Sequence, residues 1–166
     1  MSVLVNIVVV VGTVVAMEGV ALLTHKYLMH GPGWGWHRSH HEPHEGVFEK
    51  NDLYAVVFGA FAFALFLYAS QTFGWLYWVA VGMSVYGLLY FVVHDGLVHQ
   101  RWPFRHVPKN PYLKRLVQAH RLHHAVEGRE GCVSFGFLYA PPVRRLRERL
   151  RHGRGARPDT GREVQG

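Results

Sequence analysis

The sequence predicts an all-α protein: a polytopic membrane bundle of three helical spans, with a histidine-rich cap on one side. Three observations carry this. Between Asp52 and His94 run 41 consecutive residues without a charged side chain, more than a soluble domain in a 166-residue chain readily hides. All 18 Lys and Arg fall within 25–52 and 94–166. Ten of the 13 histidines fall in four tight clusters.

The first span reads from Val3 to Thr24, interrupted by Asn6, Thr13 and Glu18. It lacks the basic start and small-residue cleavage site of a signal peptide and is expected to be a retained anchor. Leu53–Ala69 and Trp75–Val93 are apolar runs of roughly 25 and 28 Å as helices, close to a hydrocarbon core of about 30 Å. The short 70–74 connection makes them a hairpin, with Tyr68, Trp75, Tyr77 and Trp78 as interfacial anchors. An odd number of spans puts both basic segments on one side, and the positive-inside rule makes that side cytoplasmic. The segment 132–142 is too short to cross; it is expected to lie at the interface or to be re-entrant.

Beyond the spans, Asn110-Pro111 reads as a helix start and Gly128 as its stop, giving a helix over 111–127. After Pro141-Pro142, Val143, Leu146 and Leu150 recur at helical spacing among five arginines. That pattern fits a basic helix on anionic lipid or a solvated charge run. One domain is expected over 1–152, followed by a disordered basic tail over 153–166. A single cysteine, Cys132, excludes a disulfide framework and a multi-cysteine zinc ribbon. The net charge of +7 and 49% apolar composition exclude a disordered chain or coiled coil, and the basic face is assigned to lipid and protein partners, with no nucleic acid.

The histidine clusters are His25-x4-His30, His37-x2-His40-His41, His94-x4-His99 and His120-x2-His123-His124, one order used twice. Each half offers five imidazoles, and ten together would serve two metal ions. H-x2-H-H spacing places three side chains on one helix face. H-x4-H leaves a 140° offset on an α-helix, so the helix must end, tighten or bulge there. Glu42, Glu45, Asp95, Glu127 and Glu130 lie near enough in sequence to orient imidazoles; Glu42, Asp95 and Glu127 are the main candidates. His44, His106 and His152 fall outside the repeat and read as ordinary polar residues. Imidazole alone suits Zn, Cu, Fe or Ni, but ten ligands exceed two closed tetrahedra, and two irons activating O2 fit the surplus best.

The boxes HKYLMH, HRSHH, HDGLVH and HRLHH resemble those of the membrane fatty acid hydroxylase/desaturase-type di-iron superfamily. The phrases HRSHHEPHEG, HDGLVHQRWPF and AHRLHHAVEG are similar to the β-carotene hydroxylases over roughly residues 20–140. The resemblance implies His25, His30, His37, His40, His41, His94, His99, His120, His123 and His124 as ligands of two iron ions, with O2 as co-substrate. It also implies hydroxylation of β-ionone rings at C3, through cryptoxanthin to zeaxanthin, with electrons from a separate donor such as ferredoxin. The chain resembles the short bacterial form, without the plant transit region, which implies the bacterial cytoplasmic membrane. Family members have about four membrane helices against three counted here.

Other readings stay open at this level. Fatty-acyl or sterol hydroxylation and carotenoid ketolation share the boxes. A metal transporter would carry ionisable residues at mid-membrane depth, which the second and third spans lack. The aromatic residues of those spans fit a carotenoid groove or plain helix packing. Glu18, seven residues before His25, fits support of the metal site or a hydrogen bond to a neighbouring helix.

Overall fold

A helix that is apolar on every side finds no aqueous surface to face, and it is lipid that accommodates it. The computed structural model describes residues 1–43, 46 and 48–155, and among these the regular structure is entirely helical. The elements in order are α1 (Val3–Leu23), a π-helical turn (Thr24–Met29), α2 (Trp34–His41), α3 (Asp52–Ala69), α4 (Trp75–Tyr90), a second π-helical segment (Phe91–Val98), α5 (Pro111–His124) and α6 (Val143–Gly155). Three continuous helices, Val3–Met29, Asp52–Ala69 and Trp75–Val98, are long and apolar enough to span a bilayer. Their outward surfaces keep Val8, Val11, Val15, Phe61, Phe63 and Leu88 largely exposed, as expected of lipid-facing side chains.

α4 packs against both α1 and α3 and so lies between them. The α1–α4 approach is close because Gly82 has no side chain: a Cβ there would sit 2.6 Å from Thr13 Cβ. The third span continues past the expected Val93 to Val98 through its π-helical segment.

The cap differs from expectation in three places. α5 starts at Asn110, whose side chain accepts from Tyr112 N and Leu113 N, but it stops at His124, short of Gly128. Leaving the helix there frees Val126 O to accept from His41 Nδ1. α6 turns its apolar side to the protein: Leu146 and Leu150 are buried against Leu116 and Ala119 of α5, while its Arg144 is exposed. α6 also runs to Gly155; residues 156–166 of the expected tail lie outside the described residues.

The 132–142 segment is not a span. It is an extended strap that enters the bundle beside α1 and α4, to the level of Glu18. Glu18 lies seven residues, roughly 10 Å of helix, before His25. Its Oε1 accepts from Phe137 N, Leu138 N and Tyr139 N at 2.9–3.0 Å, and its Oε2 accepts from Tyr86 OH at 2.8 Å. Gly136 makes room, since a Cβ there would sit 2.7 Å from the carboxylate. The strap is further held by the Tyr112 hydroxyl, which donates to Leu138 O.

Candidate metal centre

The H-x4-H pairs meet the helix problem in the same way twice. Each sits in a π-helical stretch closed by an i→i+5 hydrogen bond, His30 N to His25 O (3.1 Å) and His99 N to His94 O (2.9 Å). The widened turn brings both imidazoles of a pair to one side of the chain. Of the three ways out of the 140° offset, the protein uses the bulge, a feature frequent at functional sites.

Seven imidazoles are fixed through Nδ1. His25 donates to Phe135 O, His30 to Arg129 O, His41 to Val126 O and His123 to Val133 O. His37 donates to Asn51 Oδ1, His40 to Glu49 Oε1 and His94 to Asp95 Oδ1, at 2.7–2.8 Å. Carbonyl and carboxylate oxygens only accept, so the proton is on Nδ1 and Nε2 carries a lone pair. The Nε2 atoms of the ten imidazoles converge. His25–His37 and His30–His123 are 3.1 Å apart and His30–His37 3.2 Å. On the other side His120 Nε2 lies 2.9 Å from both His99 Nε2 and His124 Nε2.

The ten imidazoles form two adjoining groups. The ligand atoms of His25, His30, His37 and His123 lie within 4.8 Å of one another, as do those of His40, His94, His99 and His120. His41 joins the first group beside His30 and His123, and His124 joins the second through His120. The groups do not follow the halves of the chain as the repeat suggested. His40 crosses to the second group and His123 to the first, because in H-x2-H-H the i and i+4 side chains share a direction while i+3 is turned aside.

Lone pairs facing each other at 3 Å repel, and protonation does not relieve them here. Burial pulls His37 down to about 3, His41 to about 4 and His124 to about 2, with His30, His40, His120 and His123 also lowered. Loss of solvation is the largest cause at each. All are neutral at neutral pH. His40 Nε2 and His41 Nε2 are buried without a hydrogen-bond partner. Neutral, convergent, unprotonated imidazoles fit divalent transition metals.

Of the carboxylates expected to orient imidazoles, Asp95 reaches His94. Glu42 instead pairs with Arg38 at 2.7 Å, and Glu127 is exposed past the end of α5, the Nδ1 of His123 being taken by Val133 O. Glu49 and Asn51, the partners of His40 and His37, are acceptors that sequence spacing does not single out; an acid and an amide directly before the second span are the signal the sequence carries. Glu45 and His44 lie outside the described residues. His106 and His152 are exposed and away from the groups, His152 bonding Glu148 O. Cys132 stands near His30, His41 and His123, with its thiol 3.3 Å from Gly128 O.

An apolar cavity of about 310 Å³ lies between α1, α3 and α4, lined among others by Met17, Ala21, Phe58, Tyr90 and Phe137. At Thr24, Tyr54 and Phe58 it adjoins an outer groove of about 650 Å³ between α3 and the α1–α2 connection. Its inner wall touches both histidine groups. Phe137 stacks on His25 at 5.2 Å and meets His94 edge-on at 5.2 Å, and Tyr90 stacks on His94 at 4.5 Å.

Fold and site define a class: proteins with helices apolar enough to span a membrane and, at one end of them, an imidazole cluster that fits metal. The fatty acid hydroxylase family model matches residues 10–141. The chain is 61% identical to the β-carotene hydroxylase of Pantoea ananas over 162 residues, 97% of this chain and 92% of the relative. It is 58% identical to that of Pseudescherichia vulneris over 162 residues, 96% and 92% of the two chains. With the chloroplastic β-carotene 3-hydroxylase 1 of Arabidopsis thaliana it shares 41% over 135 residues, 79% of this chain and 43% of that one. The chain belongs to the fatty acid hydroxylase family and, within it, to the β-carotene hydroxylases. No solved structure matches it.

Proposed function

We propose that this chain hydroxylates the β-ionone rings of β-carotene at C3, through cryptoxanthin to zeaxanthin. The observation that carries the reading is the apolar cavity ending on Tyr90 and Phe137, one ring away from both histidine groups. β-Carotene has no polar handle and is confined to the bilayer; one ring leaves the lipid between α1 and α3 while the polyene stays behind. Among the described residues no Lys or Arg lines the cavity or the outer groove, so a fatty-acyl carboxylate or phosphate headgroup meets no cation from them there. This favours a hydrocarbon over the fatty-acyl alternative.

The ten histidines would hold two iron ions, which when bound supply activation of O2. The chain's own residues do the rest. Phe137 and Tyr90 close the cavity against water and set how far a ring advances. The seven Nδ1 hydrogen bonds keep the Nε2 atoms of those imidazoles unprotonated and aimed inward. Electrons come from a separate donor, for which ferredoxin suits the basic cap and its exposed arginines. The cap and the C-terminus face the cytoplasm of a bacterial cell, by the charge rule applied to all 18 basic residues.

The test is the pigment profile of β-carotene-producing bacterial cells expressing the chain. Cryptoxanthin and zeaxanthin are expected. Unchanged β-carotene, with the protein present in the membrane and iron supplied, would contradict the reading, and a ketolated pigment would replace it. A reporter fused after Gly166 should report the cytoplasm, and one between Thr72 and Phe73 the outside; an external C-terminus would overturn the orientation.

A further inference from the structure

The acceptors that hold the two histidine groups differ in charge. Every Nδ1 partner of the first group is neutral: four backbone carbonyls, of Phe135, Arg129, Val126 and Val133, and the amide oxygen of Asn51. In the second group His40 and His94 donate to carboxylates, Glu49 and Asp95. Glu49 is almost fully buried, with its side chain 2% exposed. Both acids belong to a cluster closed by Arg101, which takes Asp52 with two nitrogens at 2.7 and 2.8 Å and stands 3.6 Å from Glu49 and 3.7 Å from Asp95. Among the described residues, three carboxylates meet one guanidinium, and two of them accept directly from imidazoles of the second group, as no carboxylate does from the first.

The local chain is shaped to keep this cluster in place. Arg101 N donates to Asp95 O at 2.9 Å, tying the residue after the π-helical segment back onto it. Gly96 lets the Trp102 ring lie where a Cβ would be 2.7 Å away. Asp52 also accepts from Glu49 N at 3.0 Å.

From these contacts we infer that the two metal positions are inequivalent, the second holding its ion more tightly because Glu49 and Asp95 charge its imidazoles from behind. The inference rests on the two-metal reading above. A carboxylate on Nδ1 raises the basicity of Nε2, whereas a carbonyl orients the ring without adding charge. Glu49 and Asp95 are thus positioning residues that also set the field at the metal, and Asn51 is the neutral counterpart of Glu49 at the other group.

The test uses the full chain in detergent, loaded with Zn²⁺ as a redox-silent ion and then mixed with excess chelator. Two ions should leave in two phases. Glu49→Gln keeps an acceptor for His40 but removes the charge, and should speed the slow phase by about 10- to 100-fold while leaving the fast one. Asp95→Asn should do the same, and serves if Glu49→Gln does not fold. Asn51→Asp should slow the fast phase instead. With ⁵⁷Fe bound, Mössbauer spectra should show two doublets, of which Glu49→Gln moves one; a merely structural role would broaden both. Two ions leaving in a single phase, or both phases responding equally to Glu49→Gln and Asp95→Asn, would overturn the inference and leave the two-metal reading standing. Binding of fewer than two ions would sink that reading and the inference with it.

Discussion

The two halves of the chain write the same histidine order and support it differently. In the first, only residues 31–33 separate His30 from α2; in the second, residues 100–110 separate His99 from α5. Both use a π-helical turn for H-x4-H and an α-helix for H-x2-H-H. Yet each α-helix serves both groups, giving its i and i+4 imidazoles to one and its i+3 imidazole to the other. A repeat therefore sets how many imidazoles are offered, while the angular step of the helix decides which group each one joins. It also makes the two halves of the chain interdependent, since neither can complete a group alone.

Removing a crossing residue should break that interdependence most severely. His123→Ala takes an imidazole from the first group although it lies in the second half, and His40→Ala does the reverse. Each should lower hydroxylation by more than about 100-fold, beyond the 10- to 100-fold expected of an outer hydrogen-bond partner, with the protein still inserted. Metal analysis beside a product assay checks this. Substantial activity in either variant would contradict the exchange.

The strap sharpens the comparison, because among the described hydrogen bonds its backbone carbonyls hold imidazoles of the first group, His25 and His123. Glu18→Ala leaves three consecutive N–H groups without their acceptor, a cost of about 1–3 kcal/mol for each one left unsatisfied. It also loosens Val133 O and Phe135 O, which hold His123 and His25. Metal affinity at the first group should fall about 10- to 100-fold, and Glu18→Gln, which keeps an acceptor, should fall less. Competition with a chromophoric chelator measures both. Equal loss from the two groups would contradict the assignment of the strap.

Acid should undo the cap before the spans. His37 and His41 hold folded values of about 3 and 4 against an ordinary 6.5, so between those limits the unfolded cap binds more protons. Stability then falls as the pH drops below about 6.5, by about 1.4 kcal/mol per pH unit for each such histidine. Protons also compete with the metal for Nε2. Metal release and loss of near-ultraviolet dichroism are expected between pH 6.5 and 4, with far-ultraviolet helical signal largely kept. Simultaneous loss of both signals would show that cap and spans unfold together.

The smallest effects belong to side chains outside the ten imidazoles. His152→Ala, on the exposed face of α6, should leave activity and metal content unchanged. Cys132→Ala should leave two ions bound. A large loss from His152→Ala would mean that α6 does more than dock on α5.

Much of this was legible in the residues. Unbroken apolar runs define the spans, and a charge-free interval from 53 to 93 leaves few alternatives. The ten histidines stand out by spacing, and the bulge was one of three stated ways to reconcile H-x4-H with a helix. What stayed hidden depends on contacts between distant segments. Glu42 and Glu127 were favoured by nearness in sequence, but the acceptors of the first group come mostly from backbone carbonyls at 126–135, and a carbonyl carries no residue identity. α6 was read for lipid or water because its partner, the Leu116–Ala119 face, lies in another helix. Glu18 was conspicuous as a charge within a span, but its three N–H donors from the strap belong to residues chosen for backbone position.

X-ray absorption at the metal edge of the purified, fully loaded chain tests the central claim most directly. Two ions per chain, each surrounded by nitrogen at about 2.0–2.1 Å if zinc is used, are predicted from ten convergent imidazoles. A sulfur shell near 2.3 Å would bring Cys132 into the first group in place of a histidine, and a single ion per chain would contradict the division into two groups.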